Sequence, residues 1–257
     1  METTREEGSL YTRFEGSLAI LEFGHPASNS LNSVLLDRIC RELEALSSNA
    51  RVSALLIQSE GDRAFCAGAS FDELLEVSTP EQSKKFFSGF ARLINSMRTC
   101  QKPIVGKVQG KAVGGGVGLI AACDYVMASD KASLRLSELG IGIAPLVIAP
   151  AVARKAGVSG LAEMALAPSE WKSAYWAKER GLFSKVFESR ASLDKESEFF
   201  AHELSTHSPE ALKLLKQALW EGTEHWGHLL TDRAAMTGKL ALSETAQKTI
   251  ADFKKKT

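Results

Sequence analysis

Short apolar runs and amphipathic stretches alternate along roughly the first 190 residues of the chain. Branched apolar residues concentrate at 17–25, 52–60 and 102–110, and such short runs predict buried strands. Over 32–49 apolar residues recur at every third or fourth position, which predicts a helix. A second helix is expected after Thr79, because threonine can cap it and the following proline can occupy its first turn. This alternation predicts an α/β architecture with a parallel sheet.

The pattern changes near Arg190. Before this residue, two further strands are expected at 125–129 and 133–138; after it, apolar positions follow helical spacing and no strand is predicted. We therefore divide the chain into a core, residues 1–190, and a helical region, residues 191–257. A helical region of this kind packs either on another subunit, as an oligomerisation segment, or on its own core.

The bulk composition argues against several classes of protein. Thirty-one basic residues balance 31 acidic ones among 257, so no global field favours nucleic acid or an anionic membrane. The most apolar run, 141–153, is too short to cross a bilayer and contains two prolines. The polar, acidic residues at the start resemble neither a secretory signal nor a transit peptide. We therefore expect a cytoplasmic protein with no nucleic-acid or membrane partner.

Cysteine and histidine are not spaced for a metal site. The four cysteines are scattered without a CxxC pair, so free thiols are expected rather than a zinc site or a disulfide framework. His225 and His228 are three residues apart, but the sequence has no HExxH motif, and a surface or packing role is expected for both. No metal is therefore predicted.

Three small features carry candidate chemistry. Five glycines between 110 and 118 precede an apolar helix, and such an arrangement exposes backbone N–H groups to an anion. A second loop of small residues, RAFCAGAS at 63–70, follows a strand, and Glu138 stands before an apolar stretch. Taken singly, these features are also typical of tight turns, close helix packing and a helix start.

One alternative is a dinucleotide-binding fold. Residues 116–121 match G-x-G-x-x-A, and Glu138 follows at about the distance of a ribose-binding acid. However, this fingerprint does not begin at the end of a strand, and the loop at 63–70 would have no role. An NAD-dependent oxidoreductase is therefore kept only as a remote alternative.

Several segments, taken together and in order, resemble the crotonase superfamily, also called the enoyl-CoA hydratase/isomerase superfamily. They are HPASNSLN at 25–32, FCAGAS at 65–70, VQGKAVGGGVGL at 108–119 followed by CDYVMAS, SELGIGIAP at 137–145 and SETAQKTIADFKKK at 243–256. The resemblance implies a ββα spiral core and a C-terminal helical segment used in trimerisation. It also implies a homotrimer, or a hexamer made of two trimers.

The same resemblance implies an enzyme that binds acyl-CoA thioesters and stabilises an enolate. By motif matching, the backbone N–H groups of Ala69 and Gly115 bind the thioester oxygen, and Glu138 moves the proton at the carbon next to the thioester. Apolar neighbours of Glu138 are expected to raise the pKa of its carboxyl. No separate cofactor is implied, because coenzyme A is part of the substrate. The substrate-binding residues carried over are Ala27, Asn29, Arg63, Phe65, Ala67, Gly68, Gly114, Gly118, Pro145, Leu146 and Lys254.

Three positions depart from the pattern of the family's hydratases. Gly118 stands where they carry a second glutamate, Leu146 follows the loop proline where a glycine is common, and Ser70 replaces an aspartate. The enolate-forming half of the site is thus retained, whereas the water-activating half is missing. This favours a one-base shift of a 3-enoyl-CoA double bond to the 2-position. Hydration with Glu138 alone and a non-catalytic acyl-CoA-binding protein are the alternatives.

Overall fold

Two β-sheets form the framework of the fold. The computed structural model describes residues 7–254, with side chains up to residue 252. One sheet has the strand order β1-β2-β3-β5-β7-β10 and the other the order β4-β6-β8-β9. The strands are β1 Ser9–Glu15, β2 Leu18–Gly24, β3 Ala54–Ser59, β4 Ala64–Cys66, β5 Ile104–Val108, β6 Lys111–Val113, β7 Tyr125–Ser129, β8 Ser133–Arg135, β9 Lys172–Ser173 and β10 Lys185–Phe187.

Helices cover the sheets and make up the C-terminal part of the described chain. One short 3-10 helix, Glu138–Ile141, is named here the Glu138 turn. The α-helices are α1 Ser33–Ser48, α2 Phe71–Glu76, α3 Pro80–Thr99, α4 Gly115–Ala122, α5 Ala149–Ala165, α6 Ala174–Glu179, α7 Arg190–Ser205, α8 Pro209–Leu219, α9 Trp226–Ala241 and α10 Glu244–Lys254.

A repeating unit relates the two sheets. Strands β3, β5 and β7 pair in parallel in the first sheet, and the strand after each of them, β4, β6 or β8, pairs in parallel in the second. A helix or the Glu138 turn then follows. Successive units therefore advance around both sheets in one direction, which confirms the predicted ββα spiral. Because β4, β6 and β8 are parallel, the loops that follow them emerge at the same edge of the second sheet.

The longer elements agree with the sequence pattern. Strands β2, β3 and β5 and helix α1 lie within the predicted ranges. Helix α3 begins after Thr79, whose hydroxyl accepts from the Gln82 N–H at 3.2 Å while the Gln82 side chain accepts from the Thr79 N–H at 3.1 Å. This reciprocal capping satisfies two backbone donors at the helix start.

One predicted detail needs correction, and two short strands were missed. The strand expected over 133–138 ends at Arg135, and Glu138 opens a 3-10 helix instead. The three-residue strands β4 and β6 were not predicted, because they are too short to show a hydrophobic period.

The C-terminal helices pack on the core of their own chain. On helix α9, the carbonyl of Gly238 accepts a 2.8 Å hydrogen bond from the Ser83 hydroxyl on α3. Asp124, after α4, accepts from Lys216 Nζ at 2.6 Å and from Trp220 Nε1 at 2.7 Å, which fastens α8 to the same core. The expected oligomerisation through residues 191–257 stays a prediction.

Candidate active site

Three loops meet around one cavity at the edge of the second sheet. They follow β4, β6 and β8, and they contribute Gly68 with Ala69, Gly114 with Gly115, and Glu138. The cavity has a volume of about 140 Å³. The structure thus brings together the residues that the sequence singled out from three separate segments.

The Gly68–Ala69 loop directs one backbone donor toward this cavity. The carbonyl of Gly68 accepts from the Leu31 N–H at 2.8 Å, and the Ser70 N–H donates to the Leu31 carbonyl at 3.1 Å. Because backbone groups alternate in direction along an extended segment, the Ala69 N–H points away from Leu31. Ala69 itself lines the cavity. Its N–H is therefore available to a group bound there.

The glycine run allows a second donor to approach the first. Gly114 adopts φ 52°, which favours glycine, and Gly115 is the first residue of α4. The N–H groups of a helix's first turn have no partner within the helix, and the helix dipole makes that end positive. A Cβ at Gly68 would lie 3.3 Å from the Gly115 nitrogen, and a Cβ at Gly116 would overlap the Cys66 carbonyl. Glycine is thus required for this close contact between the two loops.

Glu138 places its carboxylate over the second loop. A Cβ at Gly114 would lie 2.9 Å from Glu138 Oε1. The residue as a whole is half-buried, but its Oε2 is shielded from solvent and has no hydrogen-bond partner among the described residues. Burial raises the pKa of the Glu138 carboxyl to about 7 and outweighs the lowering effect of a hydrogen bond from its own backbone. The group is therefore poised to gain or lose a proton near neutral pH.

Gly118 has no room for a side chain. It lies inside α4, where a Cβ would overlap Cγ2 of Ile148 and lie 2.9 Å from Cβ of Ile148. Ile148 lines the cavity, and Glu138 is the only acidic residue among the described residues that do so. Pro145 and Leu146 line it as expected, and Arg233 on α9 donates to the Leu146 carbonyl at 3.3 Å.

Phenylalanines on α3 form a wall that the sequence did not reveal. Phe86, Phe87 and Phe90 line the cavity, and a Cβ at Gly115 would overlap the ring of Phe90. Their spacing on a helix is equally typical of core packing, and all three are buried. Only the tertiary structure shows that this buried helix face borders a cavity.

A groove of about 480 Å³ adjoins the cavity at Ala67 and Ala69. Ala27, Ser70 and Arg135 are among the other residues that line it. Ser70 also caps α2, since its side chain accepts from the Glu73 N–H at 3.3 Å.

Two cationic groups share one aromatic ring beside this groove. The guanidinium of Arg135 lies 4.5 Å from the ring centre of Trp171, and Lys111 Nζ lies 5.1 Å from it. The Nε of Arg135 is buried and has no hydrogen-bond partner in the described structure. Because Arg135 lines the groove, its guanidinium brings a positive charge there.

Asn29 supports its loop with its side chain. The amide Nδ2 donates to the carbonyls of Glu60 at 2.8 Å and Ala64 at 2.9 Å, and Oδ1 accepts from the His25 N–H at 3.0 Å. These bonds hold Asn29 at φ 56°, in the left-handed region that asparagine tolerates. The side chain thus lies outside the linings of the cavity and the groove.

Three other predicted binding residues, Phe65, Arg63 and Gly118, also line neither the cavity nor the groove. Phe65 is fully buried, and its ring meets that of Phe23 edge to face at 5.7 Å, in the core. Arg63 is exposed just before β4 and lines neither space. The side chain of Lys254 lies outside the described residues.

No group of three or more His, Cys, Asp or Glu residues suited to a metal ion occurs within the described part of the chain. In the same residues, no helix is both long and apolar enough to span a bilayer.

The ββα spiral, with two glycine-containing loops beside a buried carboxyl, defines a protein of the crotonase superfamily. The pattern of the Enoyl-CoA hydratase/isomerase family matches residues 13–257, and the chain belongs to this family. It is thus an enzyme of the hydratase or isomerase type, from a family that acts on acyl-CoA thioesters. Family membership leaves no support for the nicotinamide alternative.

Known relatives carry both activities in their names. The chain is 32% identical to the 2,3-dehydroadipyl-CoA hydratase of Escherichia coli over 80% of this chain and 79% of that protein. It is 30% identical to the peroxisomal Delta(3,5)-Delta(2,4)-dienoyl-CoA isomerase of Arabidopsis thaliana, over 76% and 74% of the two chains. The crystal structure of an enoyl-CoA hydratase from Bacillus halodurans matches with a TM-score of 0.87 at 18% identity, covering 95% of this chain and 99% of that one. This last similarity confirms the fold.

Proposed function

We propose that the protein is an enoyl-CoA isomerase that shifts the double bond of a 3-enoyl-CoA to the 2-position. The observation that carries this proposal is the packing of Gly118 against Ile148. It leaves Glu138 as the one acid among the described cavity-lining residues. A double-bond shift needs one group that removes a proton and returns it, whereas a hydratase of this family uses a second glutamate at the position of Gly118.

Glu138 alone accounts for both proton transfers of this reaction. Its carboxylate removes a proton from C2 of the 3-enoyl thioester, and the electron pair moves onto the thioester oxygen to give a dienolate. The protonated Glu138 then delivers the proton to C4 as the electrons return, so that the double bond lies between C2 and C3. The enzyme ends in its starting state. No water is added or lost.

The dienolate oxygen would be bound by the N–H groups of Ala69 and Gly115. Both residues line the cavity beside Glu138, and fixed donors in a water-poor site stabilise a developing negative charge more than they stabilise a neutral carbonyl. One such donor contributes roughly 3–4 kcal/mol in comparable sites. These small residues are therefore assigned to catalysis through their backbone.

The raised pKa of Glu138 fits this role. A base that must accept a proton and then release it works best with a pKa near the working pH. Burial provides that value here, about 7, without a second charged group in the cavity. Glu138 can therefore act as base and acid within one turnover.

The groove would hold the coenzyme A part of the substrate. It meets the cavity at Ala67 and Ala69, so a thioester bound at Ala69 can extend through it. Arg135 lines the groove and brings a positive charge there to the polar arm of the ligand. No cofactor apart from the coenzyme A of the substrate is required for the proposed reaction.

Hydration with Glu138 alone is the second candidate. It is supported by the names of relatives such as the short-chain-enoyl-CoA hydratase of Clostridium acetobutylicum, which is 29% identical over 82% of this chain and 80% of that protein. A product assay on paired substrates separates the two candidates.

We expect the enzyme to convert 3-hexenoyl-CoA to 2-hexenoyl-CoA, and to form little 3-hydroxyhexanoyl-CoA from 2-hexenoyl-CoA. The reason is that no second acid is available to activate water in the described cavity. Liquid chromatography with mass detection measures both reactions on the same enzyme preparation. Efficient hydration of 2-hexenoyl-CoA, with slow conversion of the 3-isomer, would establish the hydratase instead.

A further inference from the structure

The cavity extends from the proposed reaction centre along helix α3. Phe90 lies beside Gly115, at the end near Glu138. Phe86 and Phe87 come one turn earlier on α3, and their rings meet edge to face with centres 5.0 Å apart. The helix therefore presents aromatic rings along the space that begins at the thioester position.

Helix α9 borders the cavity farther along α3. Thr237 lines the cavity, and the adjacent Gly238 accepts a hydrogen bond from Ser83 on α3. A Cβ at Gly238 would lie 2.8 Å from the Ser83 hydroxyl, so the two helices touch at this point. From Ser83 to Phe90 the axis of α3 advances by roughly 10 Å, at 1.5 Å per residue. This distance gives the scale of the wall that α3 contributes to the cavity.

The part of the cavity away from Glu138 has no group that could pair with a charged end of the acyl chain. None of the described residues that line the cavity is lysine, arginine or histidine. Thr237 supplies a hydroxyl, but this hydroxyl already donates to the Arg233 carbonyl at 2.9 Å within its own helix. A carboxylate at the end of an acyl chain would lose its hydration there without gaining a cation, which weakens binding.

The volume of the cavity indicates the size of acyl group that fits inside it. The cavity measures about 140 Å³. An apolar protein cavity of roughly 150 Å³ binds benzene, a ligand of six carbons. A chain of about six carbons, including the thioester carbon, fills a space of this size, and a much longer chain extends beyond it.

We propose that this enzyme selects uncharged aliphatic acyl groups of about four to six carbons, and that Phe86, Phe87 and Thr237 form the wall that sets this limit. The inference rests on the proposed function in one respect: the thioester is taken to lie at Ala69, Gly115 and Glu138. It adds the substrate class, which the proposed reaction leaves open.

Binding of saturated acyl-CoAs tests the proposal without relying on isomerisation. Isothermal titration with butanoyl-, hexanoyl-, octanoyl-, decanoyl- and dodecanoyl-CoA is expected to give the lowest Kd at four or six carbons. Decanoyl-CoA is expected to bind about tenfold or more weakly than hexanoyl-CoA, because a poorly fitting methylene changes affinity by about 10-fold or more. Adipoyl-CoA, with six carbons and a terminal carboxylate, is expected to bind more weakly by a similar factor.

Enlarging the wall is expected to move the optimum. Phe87→Ala removes a ring from the cavity lining and is expected to lower the Kd of decanoyl-CoA relative to hexanoyl-CoA by about tenfold. Phe87→Leu, a milder change, is expected to shift the ratio in the same direction and serves if the alanine variant does not fold. The matched control is Phe199→Ala, which removes a ring that is 64% exposed on α7 and is expected to leave the ratio unchanged.

The outcomes distinguish the two proposals. Tightest binding of decanoyl- or dodecanoyl-CoA, or equal binding of adipoyl- and hexanoyl-CoA, would overturn the size and charge limits while the reaction at Glu138 could stand. The exchange of α-protons with D₂O, measured for the same ligands, reports on that reaction separately. Absence of both binding and exchange for every chain length would overturn the proposed function together with this inference.

Discussion

Replacing Glu138 with glutamine is expected to slow the exchange of the α-protons of hexanoyl-CoA with D₂O by about 10²–10⁴-fold. Glutamine preserves the size of a side chain whose Oε1 lies over Gly114, but it cannot accept the proton from the substrate. Proton NMR of the acyl-CoA, recorded over time with each protein, measures the exchange. Undiminished exchange by the variant would remove Glu138 from its proposed role.

The pH dependence gives the same experiment an internal check. Exchange by the unmodified enzyme is expected to rise with pH through about 7 and then level off, because the carboxylate form is the base and burial has raised its pKa to about 7. A carboxyl of ordinary pKa would be fully active from about pH 5.5 upward. A profile that is flat between pH 5.5 and 8 would contradict the account of the buried carboxyl.

Loss of the fold can be separated from loss of the base. The folded-state pKa of Glu138 is raised above its unfolded value, so ionisation of the carboxyl favours the unfolded chain, and the resulting loss of stability grows as the pH rises from about 4.5 toward 7. Glutamine does not ionise and avoids this loss. Glu138→Gln is therefore expected to have a Tm at pH 8 equal to or above that of the unmodified enzyme, and a marked fall in Tm would attribute the lost exchange to unfolding.

Removing the backbone donor of residue 69 is expected to lower kcat for double-bond isomerisation by about 10²–10³-fold. Ala69→Pro does this because proline has no N–H. The Ala69 N–H takes no part in the pairing with Leu31, which uses the Gly68 carbonyl and the Ser70 N–H. The substitution therefore removes the proposed oxyanion donor and leaves both of those hydrogen bonds in place. Steady-state kinetics with 3-hexenoyl-CoA measures the change.

The matched control is Ala69→Ser, which adds one oxygen and keeps the N–H. It is expected to keep kcat within a few-fold of the unmodified enzyme. If the proline variant does not fold, replacing the amide of residue 69 with an ester by chemical ligation removes the same hydrogen with less change in shape. Equal kcat values for the proline and serine variants would contradict the assignment of this donor.

The sequence was informative where a motif determines the backbone. The resemblance placed Ala69, Gly115 and Glu138 in one site although 46 and 23 residues separate neighbouring members along the chain, and the structure brings all three to one cavity. The spiral followed from the same resemblance. Alternation of strands and helices predicted only an α/β architecture, because a hydrophobic period gives the type of each element and not its partners.

The binding residues were less well predicted, for reasons that involve packing. The aromatic ring of Phe65 turns into the core, and the amide of Asn29 is used to hold its own loop. Conversely, Phe86 and Phe87 border the cavity, although their pattern on α3 is also typical of an ordinary buried face. Whether a buried face meets another element or a cavity depends on contacts between distant segments, which a single sequence does not specify.

Gly118 shows how the sequence and the structure support the same conclusion. The sequence indicated that an acid of the hydratases is missing at this position. The structure adds that Ile148, 30 residues further along, occupies the adjoining space, so that even a methyl group would overlap it. The packing at this position thus leaves no space for a side chain on residue 118. This packing is the physical basis for the proposed one-base reaction.

The transfer of a hydrogen label within the substrate tests the one-base reaction most directly. 3-Hexenoyl-CoA carrying two deuterium atoms at C2 is converted in ordinary water, and the 2-hexenoyl-CoA formed in the first turnovers is examined by NMR and mass spectrometry. Because Glu138 Oε2 is shielded from solvent, a deuteron taken from C2 is expected to reach C4 in a measurable fraction of the product before it exchanges. Product with only solvent hydrogen at C4, formed while the remaining substrate keeps both deuterium atoms, would show that a second group delivers the proton.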